Sequence, residues 1–79
     1  MKSEIDKYVT QAIRKRREEL GISQEALSYL IERTGTCIAN IENGTRKYNV
    51  AHLNLIAIAL KCSIKDFFPD KPILPARTK

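Results

Sequence analysis

The sequence predicts an all-α protein, folded as a compact domain of five short helices. Apolar residues recur at helical spacing in several short runs, and glycine, proline or helix-capping residues separate one run from the next. The chain of 79 residues has room for one hydrophobic core, and 43% of its residues are hydrophobic, as in a globular protein. We therefore expect one domain over residues 1–69 and an extended or disordered tail over residues 70–79, where Pro72 and Pro75 disfavour a helix.

Helix one is predicted over residues 3–20. Ser3 and Asp6 have the spacing of a capping box, and Gly21 stands where a helix end favours positive φ. At about 100° per residue, one inward-facing stripe contains Ile5, Val9, Ala12, Ile13 and Leu20. Arg17 lies at the edge of this stripe, so we expect its side chain to be partly buried.

Helices two and three are predicted over residues 23–31 and 34–43. Ser23 and Thr34 are their expected N-terminal caps, and Gly44 closes the second of them. A break of only about three residues, without proline, joins two helices at a sharp angle, as in a helix-turn-helix.

The outer face of helix three carries no charge before Glu42, which is unusual for a solvated surface. Its residues are small and mostly polar: Gly35, Thr36, Ala39, Asn40 and Asn43. Asparagine can bind adenine through two hydrogen bonds, and threonine offers bases a hydroxyl and a methyl group. Basic residues lie before and after this helix, at residues 14–17 and at Arg46 and Lys47, where they could hold phosphates. A small helical bundle with a polar surface helix explains the same features equally well.

Helix four is predicted over residues 50–60, capped by Asn49. Its inner stripe contains Leu53, Ile56, Ala57 and Leu60, and Leu55, Ile58 and Ala59 extend the apolar face beyond half of the circumference. Such a helix is either central in the core or paired with another subunit.

Helix five is predicted over residues 63–68, with Ser63 and Asp66 again at capping-box spacing. One of Phe67 and Phe68 is expected in the core and the other at a partly exposed edge. His52 has no catalytic or metal-binding partner recognisable in the sequence, so we expect it at the surface or beside a helix cap. Cys37 is expected to be a small, half-buried residue.

Composition restricts the function further. The chain has 14 Lys and Arg against 9 Asp and Glu, a formal charge of +5, which favours a polyanionic partner such as nucleic acid. The two cysteines show no metal-binding spacing and are expected to be reduced, and no apolar run approaches the ~20 residues of a membrane span. We therefore expect a cytoplasmic protein without cofactor, metal, membrane partner or small-molecule substrate. It is not expected to be an enzyme, since no nucleophile–base pair or phosphate-binding glycine loop is recognisable.

The stretch SQEALSYLIERTGTCIANIENG resembles the helix-turn-helix of the phage repressor/Cro (XRE-like) family. The matching residues are Ser23, Gln24, Glu25, Leu27, Thr34, Ile38, Ile41, Glu42 and Gly44. The downstream LNLIAIALKCSIKDFF is similar to the last two helices of that family, so the resemblance covers about residues 5–68. It implies a lambda-repressor-like fold, and the size and layout also resemble the controller proteins of restriction–modification systems. Two departures stand out. Glu32 and Arg33 replace the frequent turn glycine and the small apolar residue after it, and Gly35 stands where the family often has a large polar residue.

The resemblance implies a role for each matching residue. Helix three would enter the major groove of double-stranded DNA. The expected base-reading residues are Thr34, Gly35, Thr36 and Asn40. The expected phosphate contacts are Gln24, Asn43, Thr45, Arg46 and Lys47. Arg17 and Glu42 match a pair that forms a salt bridge beneath the motif.

We therefore expect a sequence-specific transcriptional regulator that reads a palindromic operator as a homodimer, with helix four, helix five and Phe68 as the candidate dimer surface. The alternative is an antitoxin-like module whose main task is to mask a partner protein, because one fold can serve both roles.

Overall fold

The computed structural model describes residues 3–32 and 35–74. The helices are α1 (Glu4–Glu19), α2 (Gln24–Ile31), α3 (Cys37–Glu42), α4 (Val50–Ala59) and a short 3-10 helix (Ile64–Phe67). Both described segments are free of β-strands, which confirms the all-α class, and the predicted fifth helix is a single 3-10 turn. None of the helices in these segments is long and apolar enough to cross a membrane. The predicted boundary at residue 69 stays a prediction.

Four helices begin at the polar caps that the sequence predicted. Ser3, Ser23, Asn49 and Ser63 each accept a hydrogen bond from a backbone N–H in the first turn of the helix that follows. Ser3 and Ser63 form complete capping boxes with Asp6 and Asp66. Each cap satisfies an N–H group that the helix itself leaves unpaired.

The predicted start of helix three at Thr34 is wrong, because α3 begins at Cys37 and Thr36 occupies the capping position. Thr34 itself lies outside the described residues. The Thr36 side chain makes no capping hydrogen bond. Instead, the fully buried Ser28 hydroxyl accepts from the Ile38 N–H at 2.9 Å and donates to the Gln24 carbonyl at 2.8 Å. A residue of α2 thus caps α3 and fixes the angle between the two helices.

The ends of α1, α3 and α4 share one hydrogen-bond pattern. The residue after the cap has positive φ, at +70° for Gly21, +94° for Gly44 and +58° for Lys61. The next N–H then bonds back over five residues, as from Ile22 to the Arg17 carbonyl at 3.0 Å. This pattern satisfies the last carbonyls of a helix. Glycine in the sequence predicted the first two helix ends, whereas Lys61 gave no sign that α4 ends there with positive φ.

The core lies between α1, α2, α3, α4 and the 3-10 helix. Its fully buried members include Ile13, Leu27, Cys37, Ile38, Ile41, Ile56, Leu60 and Phe67. Phe67 fills the core while Phe68 remains 38% exposed, as expected. Cys37 is fully buried rather than half-buried. Leu20 was wrongly assigned to the inward stripe of helix one, because it lies beyond the last turn of α1, where the chain bends away, and it is 40% exposed.

The capping box of α1 makes the stability depend on acid pH. The pKa of Asp6 is below its ordinary value, first because the Ser3 backbone N–H donates to the carboxylate, with the Ser3 hydroxyl and Lys47 adding to the effect. Because the folded-state pKa is the lower one, this stabilisation is complete above the ordinary pKa and is lost as the pH falls through the folded value. We expect Asp6→Asn to lower the unfolding free energy at about pH 6, and the difference from wild type to shrink towards about pH 3. Urea titrations at both pH values measure it, and a difference that grows in acid would contradict the assignment.

Candidate nucleic-acid interface

α3 presents an uncharged polar surface opposite its buried side. Cys37, Ile38 and Ile41 face the core and are fully buried. Thr36 and Asn43 are exposed, and Gly35, Ala39 and Asn40 are half-buried. Glu42, the single charged residue of α3, has a side chain only 6% exposed. The open surface of this helix therefore offers hydroxyl, amide and methyl groups without a charge.

Gly35 is held in close contact with α2. A Cβ atom at this position would lie 3.0 Å from the Tyr29 ring and 3.1 Å from the Glu25 Cγ atom. Tyr29, which is 59% exposed, therefore occupies the space into which a side chain at position 35 would extend. The aromatic ring was not among the predicted site residues, although it stands next to the start of α3.

Beneath the motif, Arg17 and Glu42 form a buried ion pair. Arg17 Nε lies 3.2 Å from Glu42 Oε2 and its Nη2 lies 3.3 Å from Oε1, while Nη1 donates to the Ile22 carbonyl at 2.8 Å. The Gln24 amide donates to Glu42 Oε1 at 2.6 Å. The network thus ties α1, the start of α2 and the end of α3 together. Gln24, predicted to donate to a phosphate, uses one of its two amide hydrogens within this network.

The loop after α3 is held by Asn40 and Asn43. The Thr45 backbone N–H donates to the Asn40 carbonyl at 2.9 Å and to Asn43 Oδ1 at 3.0 Å. The Thr45 hydroxyl lies 2.9 Å from the same Oδ1 and 3.1 Å from the Asn40 carbonyl oxygen, so its one hydrogen serves either acceptor. These bonds place the loop directly beside the exposed face of α3.

Arg46 and Lys47, the two cations of this loop, each face a carboxylate. The Arg46 guanidinium donates to both oxygens of Glu32, at 3.2 and 2.8 Å. Lys47 Nζ lies 3.4 Å from Asp6 Oδ2. Both side chains stay accessible, at 41% and 61% exposure. The loop is thus basic in sequence but locally compensated in charge.

Glu32, the turn residue that replaces the family's glycine, has an extended backbone with φ at −145°. Any residue adopts this conformation, so the turn needs no glycine. Its carboxylate binds Arg46, which holds the pKa of Glu32 below its usual range. The same carboxylate lies 2.7 Å from His52 Nε2. His52 was expected at the surface or beside a helix cap. It is not at the surface, because its side chain is buried between α4 and this turn. It does lie beside a cap, because its backbone N–H donates to the Asn49 side chain.

Comparison with known proteins agrees with this geometry. The family model HTH_3, a helix-turn-helix, matches residues 13–67. The wild-type restriction-modification controller protein C.Esp1396I is 33% identical, over 84% of this chain and 86% of that one, with a TM-score of 0.73. The controller protein C.AhdI from Aeromonas hydrophila is 26% identical, over 77% and 92% of the two chains, with a TM-score of 0.69.

The P22 c2 repressor protein is 27% identical over 80% of this chain and 96% of that one, with a TM-score of 0.66. A search of curated proteins by sequence finds no match. The structural likeness confirms the predicted lambda-repressor-like architecture. The chain belongs to the HTH_3 family of helix-turn-helix DNA-binding regulators, the XRE-like family that its central motif resembles.

Proposed function

We propose that the protein is a transcriptional regulator that reads a palindromic DNA operator as a homodimer, with α3 in the major groove. The observation that carries this proposal is the uncharged polar surface of α3 beside a loop with two accessible cations. A protein that reads bases needs hydrogen-bonding groups in the groove and cations at its edges. The similar P22 c2 repressor is bound to a synthetic operator in its solved structure, which supports the same role.

Asn40 on α3 and Thr36 at its N-terminal cap are proposed to read bases, together with Thr34 and the backbone of Gly35. Thr36 is exposed, and its side chain makes no capping hydrogen bond to α3. Asn40 lies one turn further along the same side. A Cβ atom on Gly35 would point towards Tyr29 and Glu25 of α2, so the backbone of Gly35 is the part proposed to approach the bases.

Phosphate contacts are proposed for the residues that flank this face: Gln24, Asn43, Thr45, Arg46 and Lys47. Asn43 and Thr45 are already positioned by their mutual hydrogen bonds. Arg46 and Lys47 would exchange their carboxylate partners for phosphate oxygens. Charge-assisted bonds from guanidinium to phosphate have good geometry, so this exchange is chemically reasonable.

The homodimer would use the outer face of α4. No residue from Val50 to Leu60 carries a formal charge with His52 neutral, and Val50, Leu55 and Ile58 are 76%, 40% and 66% exposed. Phe68, at 38% exposure, follows the 3-10 helix. Exposed apolar side chains concentrated on one element are typical of a surface that a partner covers. A two-fold dimer would place two copies of α3 about 34 Å apart, one turn of B-DNA.

The test is a selection from random duplexes, with the enriched sequences read and then titrated one by one. We expect a single palindrome. Asn40→Ala should lose ~1–3 kcal/mol of discrimination at one base pair of each half-site, the usual contribution of one bidentate contact. Gln11→Ala is the matched control, because Gln11 is an exposed amide side chain on α1, outside the proposed DNA and dimer surfaces, and should leave the preferred sequence unchanged.

Weak binding without sequence preference would contradict the proposal, since the net charge of +5 alone explains such binding. A protein partner would then be the next candidate. If wild type and Asn40→Ala prefer the same DNA sequence equally strongly, Asn40 does not read a base, but the proposal that the protein reads DNA stands.

A further inference from the structure

Three potential metal ligands meet at the turn between α2 and α3. Glu32 directly follows α2, Cys37 is the first residue of α3, and His52 lies in the first turn of α4. One carboxylate oxygen, the Cys37 sulfur and one His52 ring nitrogen all lie within 4.8 Å of one another. Cys37 is fully buried and His52 is 8% exposed, so the packing of the core, and not chance proximity at the surface, holds these two side chains together.

The donor set suits zinc and similar borderline cations. Thiolate, imidazole and carboxylate are the ligands that Zn²⁺ uses in proteins, at about 2.0–2.3 Å. Two ligands of a tetrahedral ion are therefore about 3.3–3.8 Å apart, so the present side chains need to approach by at most about 1.5 Å. Three protein ligands leave a fourth position for water. The two charges of the cation would be balanced by the Cys37 thiolate and the Glu32 carboxylate.

One of the two ring nitrogens of His52 has a partner among the described residues, and the other has none. Its Nε2 lies 2.7 Å from Glu32 Oε2, and its buried Nδ1 has no hydrogen-bond partner among the described residues. With a cation on Nε2, the imidazole would exchange its contact to the Glu32 carboxylate for a bond to the metal, and Nδ1 would carry the ring proton.

We propose that Glu32, Cys37 and His52 bind a divalent cation of the zinc type, and that this cation takes the place of Arg46 on the Glu32 carboxylate. On binding, the Cys37 S–H bond breaks, a sulfur–metal bond forms and the proton passes to solvent. The ring proton of His52 moves from Nε2, which now faces the Glu32 carboxylate, to Nδ1, and the freed Nε2 lone pair and one Glu32 oxygen complete the protein ligands. The Arg46 guanidinium, now bound to both Glu32 oxygens, is then released.

Release of Arg46 links the cation to DNA, a consequence that rests on the proposed function. Arg46 is one of the proposed phosphate contacts, and the cation would also tie the end of α2 to α3 and α4. An occupied site should therefore favour operator binding. The cation site itself depends on no property of DNA, so it is tested without DNA.

Cobalt titration of the reduced, chelator-treated full chain tests the site. Co²⁺ occupies zinc-type sites, and a thiolate ligand gives a charge-transfer band in the near ultraviolet. We expect one Co²⁺ per chain, one proton released, and a band that Zn²⁺ abolishes by displacement. Cys37→Ser should lose the band, while Cys62→Ser, which removes the other free thiol, should keep it. His52→Gln and Glu32→Gln should weaken binding at least ~10-fold, since removing even an outer-shell partner of a metal ligand usually costs ~10–100-fold in affinity.

Arg46→Ala supplies an independent test that leaves all three ligands in place. If the cation displaces Arg46, this variant should bind Co²⁺ several-fold more tightly than wild type. Lys47→Ala, which removes the neighbouring cation, should change the affinity less. Circular dichroism checks that each variant is folded.

Several outcomes would overturn the cation site: no charge-transfer band in wild type, a band that survives in folded Cys37→Ser, or one that depends on Cys62. If Cys37→Ser does not fold, unchanged affinity in Arg46→Ala would overturn the exchange, and unchanged affinity in Glu32→Gln would overturn the ligand set. Failure of the DNA selection described above would leave these results untouched, so the two proposals fail separately.

Discussion

Arg17→Ala is expected to lower the free energy of unfolding by ~3–5 kcal/mol, the usual cost of leaving one member of a buried ion pair without its partner. The side chains of Arg17 and Glu42 are 8% and 6% exposed, and two guanidinium nitrogens face the two carboxylate oxygens. After the substitution, the Gln24 amide is the hydrogen-bond donor that Glu42 keeps within the described part of the chain, and the Ile22 carbonyl loses the Arg17 donor. Urea unfolding at neutral pH measures the loss.

Arg14→Ala is the matched control for this effect. Arg14 lies on the same helix and its Nε pairs with Glu18 at 3.1 Å, but both side chains are more than half exposed. Such a pair contributes only ~0.3–0.5 kcal/mol. A loss in Arg17→Ala that is no larger than in Arg14→Ala would contradict the argument from burial.

A double-mutant cycle separates the ion pair from the cost of an unpaired charge. Glu42→Ala alone strands Arg17, so it should also be strongly destabilising. Removing both residues leaves no buried charge, and the double variant should lose much less than the sum of the two single losses. Simple additivity would mean that the two side chains act independently, despite the 3.2 Å separation of Nε and Oε2.

Ile58→Lys is expected to convert the proposed dimer into a monomer and to weaken operator binding by ~10²–10⁴-fold, the usual gain from joining two binding units. Ile58 is 66% exposed on α4, so the fold should tolerate the change. The added charge raises the net charge from +5 to +6, so weaker binding could not result from repulsion of DNA. Light scattering gives the oligomeric state, and titration with the selected palindrome gives the affinity.

Leu74→Lys makes the same chemical change at a position that is 84% exposed and outside the helices. This variant should keep the molar mass of the dimer in light scattering and an operator affinity close to that of wild type. A wild-type protein that is monomeric at tens of micromolar, with and without DNA, would refute the dimer. A dimer that survives Ile58→Lys would place the interface elsewhere.

Sequence reasoning succeeded where the signal is local. The caps at Ser3, Ser23, Asn49 and Ser63 depend on residues at most three positions away, so each was visible in the sequence. The Arg17–Glu42 contact spans 25 positions and followed from the family resemblance together with the edge of an apolar stripe.

The start of α3 and the environment of His52 were predicted wrongly because both depend on contacts between distant residues. Ser28 caps α3 across ten positions, and no local pattern in the sequence indicates that role, so the start of α3 was placed two residues early, at Thr34. His52 is twenty positions from Glu32, and their contact depends on how α4 packs against the turn. The cluster at this turn was invisible for the same reason, because its ligands have no regular spacing along the chain.

The ion pairs of the loop after α3 have a consequence for how many mobile ions the operator complex releases. A cation that neutralises a DNA phosphate sets free about 0.9 condensed counterion per contact. Arg46 and Lys47 can do so only by leaving Glu32 and Asp6, whose carboxylates would then attract ions from solution. Ion uptake at the protein partly cancels ion release from DNA. The slope of operator affinity against salt concentration should therefore correspond to fewer phosphate contacts than the protein makes.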